Sequence, residues 1–224
     1  MRITISKENY LKAIAEAESA GEVVIAAALA RWLGVSAPAV AMAVRRLKRD
    51  GLIRVSANSA ITLAKESREI ANRLIERHSL IERMLTEIFG MEWYKVHDEA
   101  EHMEHAVSAD FERRLREKLG ESDACPHGNL PGLDRPQDRR QRGWKPLDEV
   151  DGGAAIQVTS VFERDRKLLE YLDGLGIRPG SGLRVMARNC DDTMTLKVDG
   201  QSVQLGCAAA SKVWTRASDS RERK

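Results

Sequence analysis

The stretch from Ile25 to Leu63 reads IAAALARWLGVSAPAVAMAVRRLKRDGLIRVSANSAITL. A short apolar helix is predicted to end at Gly34, because glycine adopts the left-handed backbone that a tight turn needs. Ser36 can then cap a second helix that has Pro38 in its first turn. Further along, two short alternating strands flank a polar tip at residues 57–59, which is typical of a β-hairpin. Helix, turn, capped helix and hairpin together predict a winged helix-turn-helix.

The helix that follows Ser36 carries a run of basic residues in its second half. On an isolated helix, such a run most often forms a solvated face. Within a helix-turn-helix, the start of this helix enters the major groove and neighbouring basic side chains contact phosphates. The residues that we expect to contact double-stranded DNA are Ser36, Ala37, Pro38, Met42, Arg45, Arg46 and Arg49. Because only Ser36 among the groove-facing residues can hydrogen-bond a base edge, sequence choice should depend on thymine methyl contacts and DNA shape.

A second informative stretch is KVHDEAEHMEHAVS, residues 95–108. On a helical wheel at 100° per residue, four potential metal ligands share an arc of roughly 100°. They are His97, Glu101, Glu104 and His105. The arc borders the apolar stripe that faces a core, whereas exposed charge normally lies opposite that stripe. Oxygen and nitrogen donors suit Mn²⁺, Fe²⁺, Co²⁺ or Zn²⁺, although a solvated acidic helix is the alternative for this stretch alone.

The preceding helical run, predicted over residues 65–89, adds further donors. His78 and Glu82 are four residues apart and share a face with apolar residues. Two helices that pack through their apolar stripes would bring His78, Glu82 and His97 together. The remaining donors of the arc would form a neighbouring site. The two helices together favour metal binding over a solvated surface.

Composition narrows the function classes further. The 224 residues carry a formal net charge of only +2, so affinity for nucleic acid must come from local clusters of basic residues. The first ten residues, MRITISKENY, lack the apolar core of a signal peptide, and no run of 18 apolar residues occurs. We therefore expect a cytoplasmic protein without a membrane partner. The three cysteines form no CxxC pair and are expected to be reduced and structural.

The chain changes in character after a helix that Ser108 should cap and Gly120 should end. Residues 125–146 hold four of the six prolines and are interpreted as a linker. Cys125 and His127 in this segment are interpreted as loop residues rather than as metal ligands.

The C-terminal part is predicted to be a small antiparallel barrel. Asp199 and Gly200 are typical of a hairpin turn, and a short helix is expected over residues 165–175. The predicted strands cover residues 156–162, 183–188, 194–198 and 202–205.

This layout resembles the diphtheria toxin repressor family of metal-dependent transcription regulators. The resemblance is carried by ERHSLIERML, KVHDEA with the following EH and S, the CPHGN and PG loop, and YLDGLGIRPG. It covers nearly the full chain and implies a mainly α fold with small β regions. The implied domains are a winged helix-turn-helix DNA-binding domain over 1–72, a helical metal-binding and dimerisation domain with linker over 73–140, and an SH3-like, FeoA-like domain over 141–224.

The resemblance also assigns metal ligands. Glu101, Glu104 and His105 match the primary, activating site, whose remaining ligand falls at Asn9. The ancillary site is matched by His78, Glu82 and His97, and in three-domain members the C-terminal domain completes it. Glu163 is the candidate for that ligand, whereas Ser160 replaces an acidic residue of iron-type members.

Three departures bear on the choice of metal. Asn9 stands where iron-type members have methionine and manganese-type members have aspartate. Lys12 replaces an acidic residue of the binuclear site found in two-domain manganese regulators, and Glu101 replaces the cysteine of iron-type members. Oxygen-rich coordination favours Mn²⁺ over Fe²⁺. The expected protein is a homodimeric repressor that binds operator DNA when Mn²⁺ fills two sites per subunit and controls genes of metal-ion homeostasis. An Fe²⁺-dependent repressor of iron-uptake genes is the alternative.

Two other classes compete with this interpretation. A di-iron enzyme needs Glu-x-x-His on two helices, and this pattern occurs only once, at residues 99–102. We therefore expect neither catalysis nor a small-molecule substrate. A metal-independent DNA-binding scaffold would require the ligand arc to be solvated, and a gel shift with and without metal distinguishes it.

Overall fold

The computed structural model describes residues 3–120, 124–130 and 135–218. Its N-terminal part contains α1 (Ile5–Ser19), α2 (Ala26–Leu33) and α3 (Ala37–Arg49), followed by strands β1 (Ile53–Val55) and β2 (Ile61–Leu63). Strands β1 and β2 pair antiparallel, and the predicted winged helix-turn-helix is confirmed.

Local chemistry explains where these helices begin and end. The Thr4 hydroxyl accepts a hydrogen bond from the Lys7 amide at the start of α1, and the Ser36 hydroxyl accepts one from the Ala39 amide at the start of α3. Gly34 ends α2 with a φ of 63°, the left-handed conformation that turns the chain into α3. No single helix in the described residues is long and apolar enough to cross a membrane; α2 and α3 meet that criterion only jointly, across a 114° bend.

The central part is helical. It contains α4 (Lys65–Arg83), a π-helical turn (Met84–Ile88), α5 (Val96–Met103) and α6 (Ala109–Leu119). Helix α4 packs against α1, α5 and α6.

Helix α5 is shorter than the predicted ligand helix. It ends at Met103, so Glu104 and His105 lie in the turn that follows. The chain must leave the helix here because Ser108 adopts an extended backbone to cap α6, with its hydroxyl accepting from the Phe111 amide. A single helical wheel therefore does not describe all four donors.

The C-terminal part is built on a six-stranded sheet. Its elements are α7 (Pro136–Gln141), β3 (Lys145–Pro146), a 3-10 turn (Leu147–Glu149), β4 (Ala155–Val161), α8 (Arg166–Gly174), β5 (Gly182–Arg188), β6 (Thr193–Val198), β7 (Gln201–Gly206), α9 (Cys207–Ala210) and β8 (Val213–Ala217). The strand order is β3-β8-β4-β5-β6-β7 and every pair is antiparallel. The predicted β6–β7 hairpin turn is present, with positive φ at Asp199 and Gly200. Within the described residues the edge strands β3 and β7 do not pair with each other, and the small antiparallel sheet fits the predicted barrel-like domain.

The interpretation of residues 125–146 as a linker is wrong for its first part, and the helix α7 and the strand β3 also fall within this range. Residues 124–130 fold inward, and the side chain of His127 is fully buried. The loop lies directly on β4, since the Val161 amide donates to the His127 carbonyl. Gly128 permits this approach: its φ is +79°, and a Cβ there would lie 2.0 Å from the Thr159 carbonyl oxygen. Sequence texture cannot show this close contact.

Candidate metal centre and DNA-contacting surface

Four buried or partly buried donors meet where the three parts of the chain come together. Glu82 from α4, Cys125 and His127 from the 124–130 loop, and Glu163 from the loop after β4 offer ligand atoms that all lie within 4.8 Å of one another. His127 Nδ1 lies 3.5 Å from Glu82 Oε1 and 3.7 Å from Glu163 Oε2. Cys125 Sγ lies 3.5 Å from the same Glu163 oxygen. We call these four residues the central cluster.

A second triad shares one member with the central cluster. His78 Nε2 lies 3.0 Å and His97 Nδ1 lies 3.1 Å from Glu82 Oε1. All three side chains are at most 5% exposed. The i, i+4 spacing on α4 aligns His78 with Glu82, and the packing of α5 on α4 brings in His97. The structure thus brings together the sequence-predicted ancillary residues, including Glu163, and adds Cys125 and His127.

The donor chemistry of these groups fits a cation. Glu82 Oε2 is buried and has no hydrogen-bond partner among the described residues, and a buried carboxylate oxygen normally has one. A bound divalent ion would satisfy it. A cavity of about 260 Å³ reaches the cluster, with Glu82, Cys125 and Glu163 in its wall, and supplies an entry path.

Electrostatics in the central cluster favour charged carboxylates. Burial alone would raise the pKa of Glu82, but the neighbouring imidazoles of His127 and His78 hold it well below its usual value. Burial and Lys12 oppose protonation of His78, yet Glu82 and Glu104 raise its pKa to about 9. Burial, together with Glu82 and Glu163, raises the pKa of the Cys125 thiol well above its usual range. Protons on imidazole and sulfur must therefore leave before these atoms can bind a metal.

A separate group of donors joins α1 to the turn after α5. His105 Nε2 lies 2.6 Å from Asn9 Oδ1 and 3.5 Å from Glu104 Oε1. His105 Nδ1 lies 2.9 Å from Glu8 Oε2. We call Glu8, Asn9, Glu104 and His105 the N-terminal cluster. Sequence reasoning missed Glu8, for which adjacency to Asn9 in the first turn of α1 was the available signal.

Lys12 lies between the N-terminal cluster and the triad of His78, Glu82 and His97. Its Nζ is 2.6 Å from Glu104 Oε2 and 3.0 Å from His78 Nδ1, and the residue is 4% exposed. Burial lowers the pKa of Lys12, but Glu16 and Glu104 outweigh burial and raise it. The ammonium group of Lys12 therefore offsets the charge of the Glu104 carboxylate at one of its two oxygens.

Two sequence-predicted positions lie apart from these clusters. The Glu101 side chain is 42% exposed, and its Oε1 lies 3.6 Å from His97 Nε2 and 3.5 Å from Arg164 Nη1. Within the described residues, no ion pair closer than 4 Å joins Glu101 to His105. Ser160 is fully buried, and its hydroxyl accepts a hydrogen bond from Arg139.

The predicted DNA-contacting residues form one exposed surface. Ser36, Ala37, Pro38, Met42, Arg45, Arg46 and Arg49 are all exposed on α3 or at its cap. Met42 is 53% exposed, which is unusual for a large apolar side chain and compatible with contact to a thymine methyl. The opposite face of α3 is held in the core by Val40 and Leu47.

Three family models match the chain in succession. The iron dependent repressor N-terminal DNA binding domain matches residues 2–61. The iron dependent repressor metal binding and dimerisation domain matches residues 65–130. The FeoA domain matches residues 145–217.

Full-length relatives agree with these matches. The diphtheria toxin repressor of Corynebacterium efficiens is 34% identical over 207 residues, which cover 88% of this chain and 89% of the relative. The iron-dependent repressor IdeR of Mycobacterium leprae is 39% identical over 189 residues, covering 80% and 82%. Among solved structures, a manganese-dependent transcriptional repressor in complex with manganese superposes with a TM-score of 0.83 at 32% identity, covering 94% of this chain and 99% of that one. The manganese regulator SloR gives a TM-score of 0.77 at 28% identity, covering 96% and 100%.

Proposed function

Because the chain belongs to the diphtheria toxin repressor family of metal-dependent transcriptional repressors, we propose that Mn²⁺ held between its N-terminal and central domains switches it to the form that binds operator DNA. Its family domains are a DNA-binding domain and a metal-binding and dimerisation domain. The proposed targets are genes of metal-ion homeostasis.

The N-terminal cluster carries this proposal. Asn9 Oδ1 on α1 and Glu104 Oε1 after α5 both lie near His105 Nε2, whereas Glu8 Oε2 contacts Nδ1 on the other side of the ring. Asn9, Glu104 and His105 would hold a divalent ion through oxygen and nitrogen atoms alone, which suits Mn²⁺, and Glu8 would orient the His105 ring. A bound ion would supply fixed positive charge to two elements of different domains.

The packing of α1 connects this cluster to DNA binding. Helix α1 packs against α2, α3 and α4. Fixing α1 to the turn after α5 therefore also fixes how α3 projects from the dimerisation domain. In a dimer, the two α3 helices must reach major-groove segments about 34 Å apart, or a multiple of that distance. If α1 were held loosely, the distance between the two α3 helices would vary, and binding at both half-sites would be weaker.

The central cluster is proposed as the second, ancillary metal site. Glu82, His127 and Glu163, with Cys125, would hold an ion that joins α4 to the C-terminal domain. The Cys125 thiol specifically favours the second candidate, an Fe²⁺-dependent repressor, because sulfur is a softer ligand than oxygen. The oxygen-rich N-terminal cluster is the basis for preferring Mn²⁺ in activation.

The choice of metal is tested on DNA. Sites are first selected from random double-stranded DNA with the full chain in the presence of Mn²⁺, and separately of anaerobic Fe²⁺. Binding of a selected site is then measured by fluorescence anisotropy with Mn²⁺, Fe²⁺, Co²⁺, Zn²⁺ or EDTA, and metal content is determined on the same samples. We expect Mn²⁺ to activate binding and EDTA to abolish it. Activation by Fe²⁺ but not by Mn²⁺ would establish the iron alternative, and equal binding in EDTA would establish a metal-independent scaffold.

A further inference from the structure

One arginine of the C-terminal domain, Arg164, binds two helices of the helix-turn-helix domain. Arg164 Nη1 lies 2.7 Å from Glu16 Oε2 on α1, and Nη2 donates to the Trp32 carbonyl at 3.0 Å. The guanidinium also lies over the Trp32 ring, 4.9 Å from its centroid. Trp32 is in the last turn of α2, directly before the Gly34 turn that leads into α3. One side chain thus contacts both helices that precede the recognition helix.

The surroundings of this contact make it stronger than an ordinary surface ion pair. The side chains of Arg164 and Glu16 are only 19% and 12% exposed, so water screens their attraction less than at an open surface. The Phe162 ring packs edge-on against Trp32 at 6.4 Å. A planar guanidinium that stacks on a ring while donating to two acceptors is a role that lysine cannot fill.

Arg164 is the chain neighbour of a proposed metal ligand. Glu163 belongs to the central cluster, and the two residues lie in the short segment between β4 and α8. A ligand bond at Glu163 would restrict the backbone of this segment, and the restriction passes directly to Arg164. On α1, Glu16 is also 3.9 Å from Lys12 Nζ, which contacts Glu104 of the N-terminal cluster.

Building on the proposed function, we infer that Arg164 is a positioning residue that couples metal occupancy of the central cluster to the orientation of the helix-turn-helix. An ion bound by Glu163 would restrict the segment that carries Arg164. The contacts of Arg164 with Glu16 and with the Trp32 carbonyl would then restrict the movement of α1 and α2. Coupling of this kind is reciprocal. If metal binding stabilises the contact of Arg164 with α2, that contact must increase the affinity for the metal by the same free energy.

Hydrogen exchange of the full-length protein with Mn²⁺ as probe measures the coupling locally. In the wild type, we expect Mn²⁺ to slow amide exchange in residues 26–33 by about tenfold relative to EDTA, within the range of measured coupling energies. Arg164→Ala should lose most of this protection and, by reciprocity, bind Mn²⁺ at the central cluster more weakly by a similar factor. Arg164→Lys and Glu16→Gln should show protection between that of the wild type and that of Arg164→Ala. Combining Glu16→Gln with Arg164→Ala should cause little further loss of protection.

The matched control is Arg166→Ala. Arg166 lies two residues further on, its side chain is 50% exposed, and it lies 3.7 Å from Asp98, so its removal should leave both readouts at the wild-type level. Retention of wild-type Mn²⁺-dependent protection in Arg164→Ala would overturn the inference. If Arg164→Ala does not fold, retention in Arg164→Lys and Glu16→Gln would overturn it equally. If the wild type does not bind Mn²⁺, the manganese proposal fails by itself, and the same comparison with Co²⁺ decides the coupling.

Discussion

Lys12 is the residue that fits a metal site least well, because its buried ammonium group contacts Glu104 and His78, which are candidate metal ligands. Its contacts with Glu104 and His78 join α1 to α4 and to the turn after α5. If Lys12 is removed, the Glu104 carboxylate keeps His78, 2.6 Å away, as its remaining buried cationic partner. The molecule therefore carries a built-in link between its N-terminal and central domains.

This link predicts a large effect of Lys12→Met on the metal-free protein. Glu104 would lose one of its two buried cationic partners, so the free energy of unfolding in EDTA should fall by up to about 3 kcal/mol. Added Mn²⁺ should recover more stability in this variant than in the wild type, because the freed Glu104 oxygen can bind it. Urea unfolding with EDTA or Mn²⁺ measures both effects.

Lys7→Met provides the comparison on the same helix. Lys7 pairs with Asp50, but its side chain is 24% exposed, so removing it should lower the free energy of unfolding much less than removing Lys12 does. Equal destabilisation of the two variants, with no additional recovery by Mn²⁺, would contradict the assigned role of Lys12.

His78 predicts a specific dependence of stability on pH. Its pKa in the folded protein is about 9, against about 6.5 for an unperturbed histidine. A raised pKa contributes stability that is fully present below about pH 6.5 and is lost as the pH rises to about 9. The lowered pKa values of Glu82 and Glu104 act below pH 5 and do not oppose this trend.

Urea unfolding in EDTA should therefore give a free energy up to about 3 kcal/mol lower at pH 9 than at pH 6. His78→Gln should reduce this dependence and leave the part due to His127, for which the effect of burial is outweighed by Glu82 and Glu163, so that its pKa is raised. The variant of exposed His102, His102→Gln, should keep the dependence in full. Mn²⁺ affinity should change in the opposite direction and increase with pH, because the proton on His78 must leave. A wild-type unfolding free energy that rises between pH 6 and pH 9 would disprove the assignment.

At the scale of elements, the sequence predicts those features that depend on neighbouring residues and does not predict contacts between distant segments. The Ser36 cap, the Gly34 turn and the β1–β2 hairpin depend on neighbouring residues, and all three are present. The spacing of His78 and Glu82 placed both on one face of α4. The sequence did not predict that Cys125 and His127 lie beside Glu82 and Glu163, because this placement depends on Gly128 letting a distant loop lie on β4, and no periodicity encodes such a contact.

The end of the π-helical turn that follows α4 and the helix α6 expose apolar residues that fit a dimer interface. Ile88, Phe89 and Phe111 are 41%, 69% and 44% exposed, and the π-helical turn packs against α6. Burying these side chains against a second copy would remove apolar surface from water. They belong to the part of the chain that matches a dimerisation domain.

Phe89→Glu should therefore weaken dimerisation by about tenfold or more, since a charge would enter an apolar contact. Sedimentation equilibrium across a concentration series measures the change. Met186→Glu, at a 52% exposed position on β5, should leave the dimer intact. A monomeric wild type, or an unchanged dimer in Phe89→Glu, would exclude this surface as the interface.

At the scale of the whole molecule, the three domains meet at the donors. The N-terminal cluster takes residues from α1 and from the turn after α5, and the central cluster takes residues from α4, the 124–130 loop and the segment after β4. An ion bound at these positions would therefore fix the domains relative to one another rather than stabilise any one of them. This arrangement suits a switch whose output is the spacing of two recognition helices.

The most direct test of this account is DNA binding by Glu104→Ala and His105→Ala, with Glu117→Ala as the control. Glu117 is a glutamate on α6 with a 63% exposed side chain, so its removal changes surface charge without touching either cluster. Affinity for the selected DNA site is measured by fluorescence anisotropy with Mn²⁺ and with EDTA, after circular dichroism has confirmed folding. We expect wild type and Glu117→Ala to bind tightly only with Mn²⁺, and both cluster variants to bind as weakly with Mn²⁺ as the wild type does in EDTA. Wild-type, Mn²⁺-dependent affinity in a folded Glu104→Ala protein would contradict the central claim.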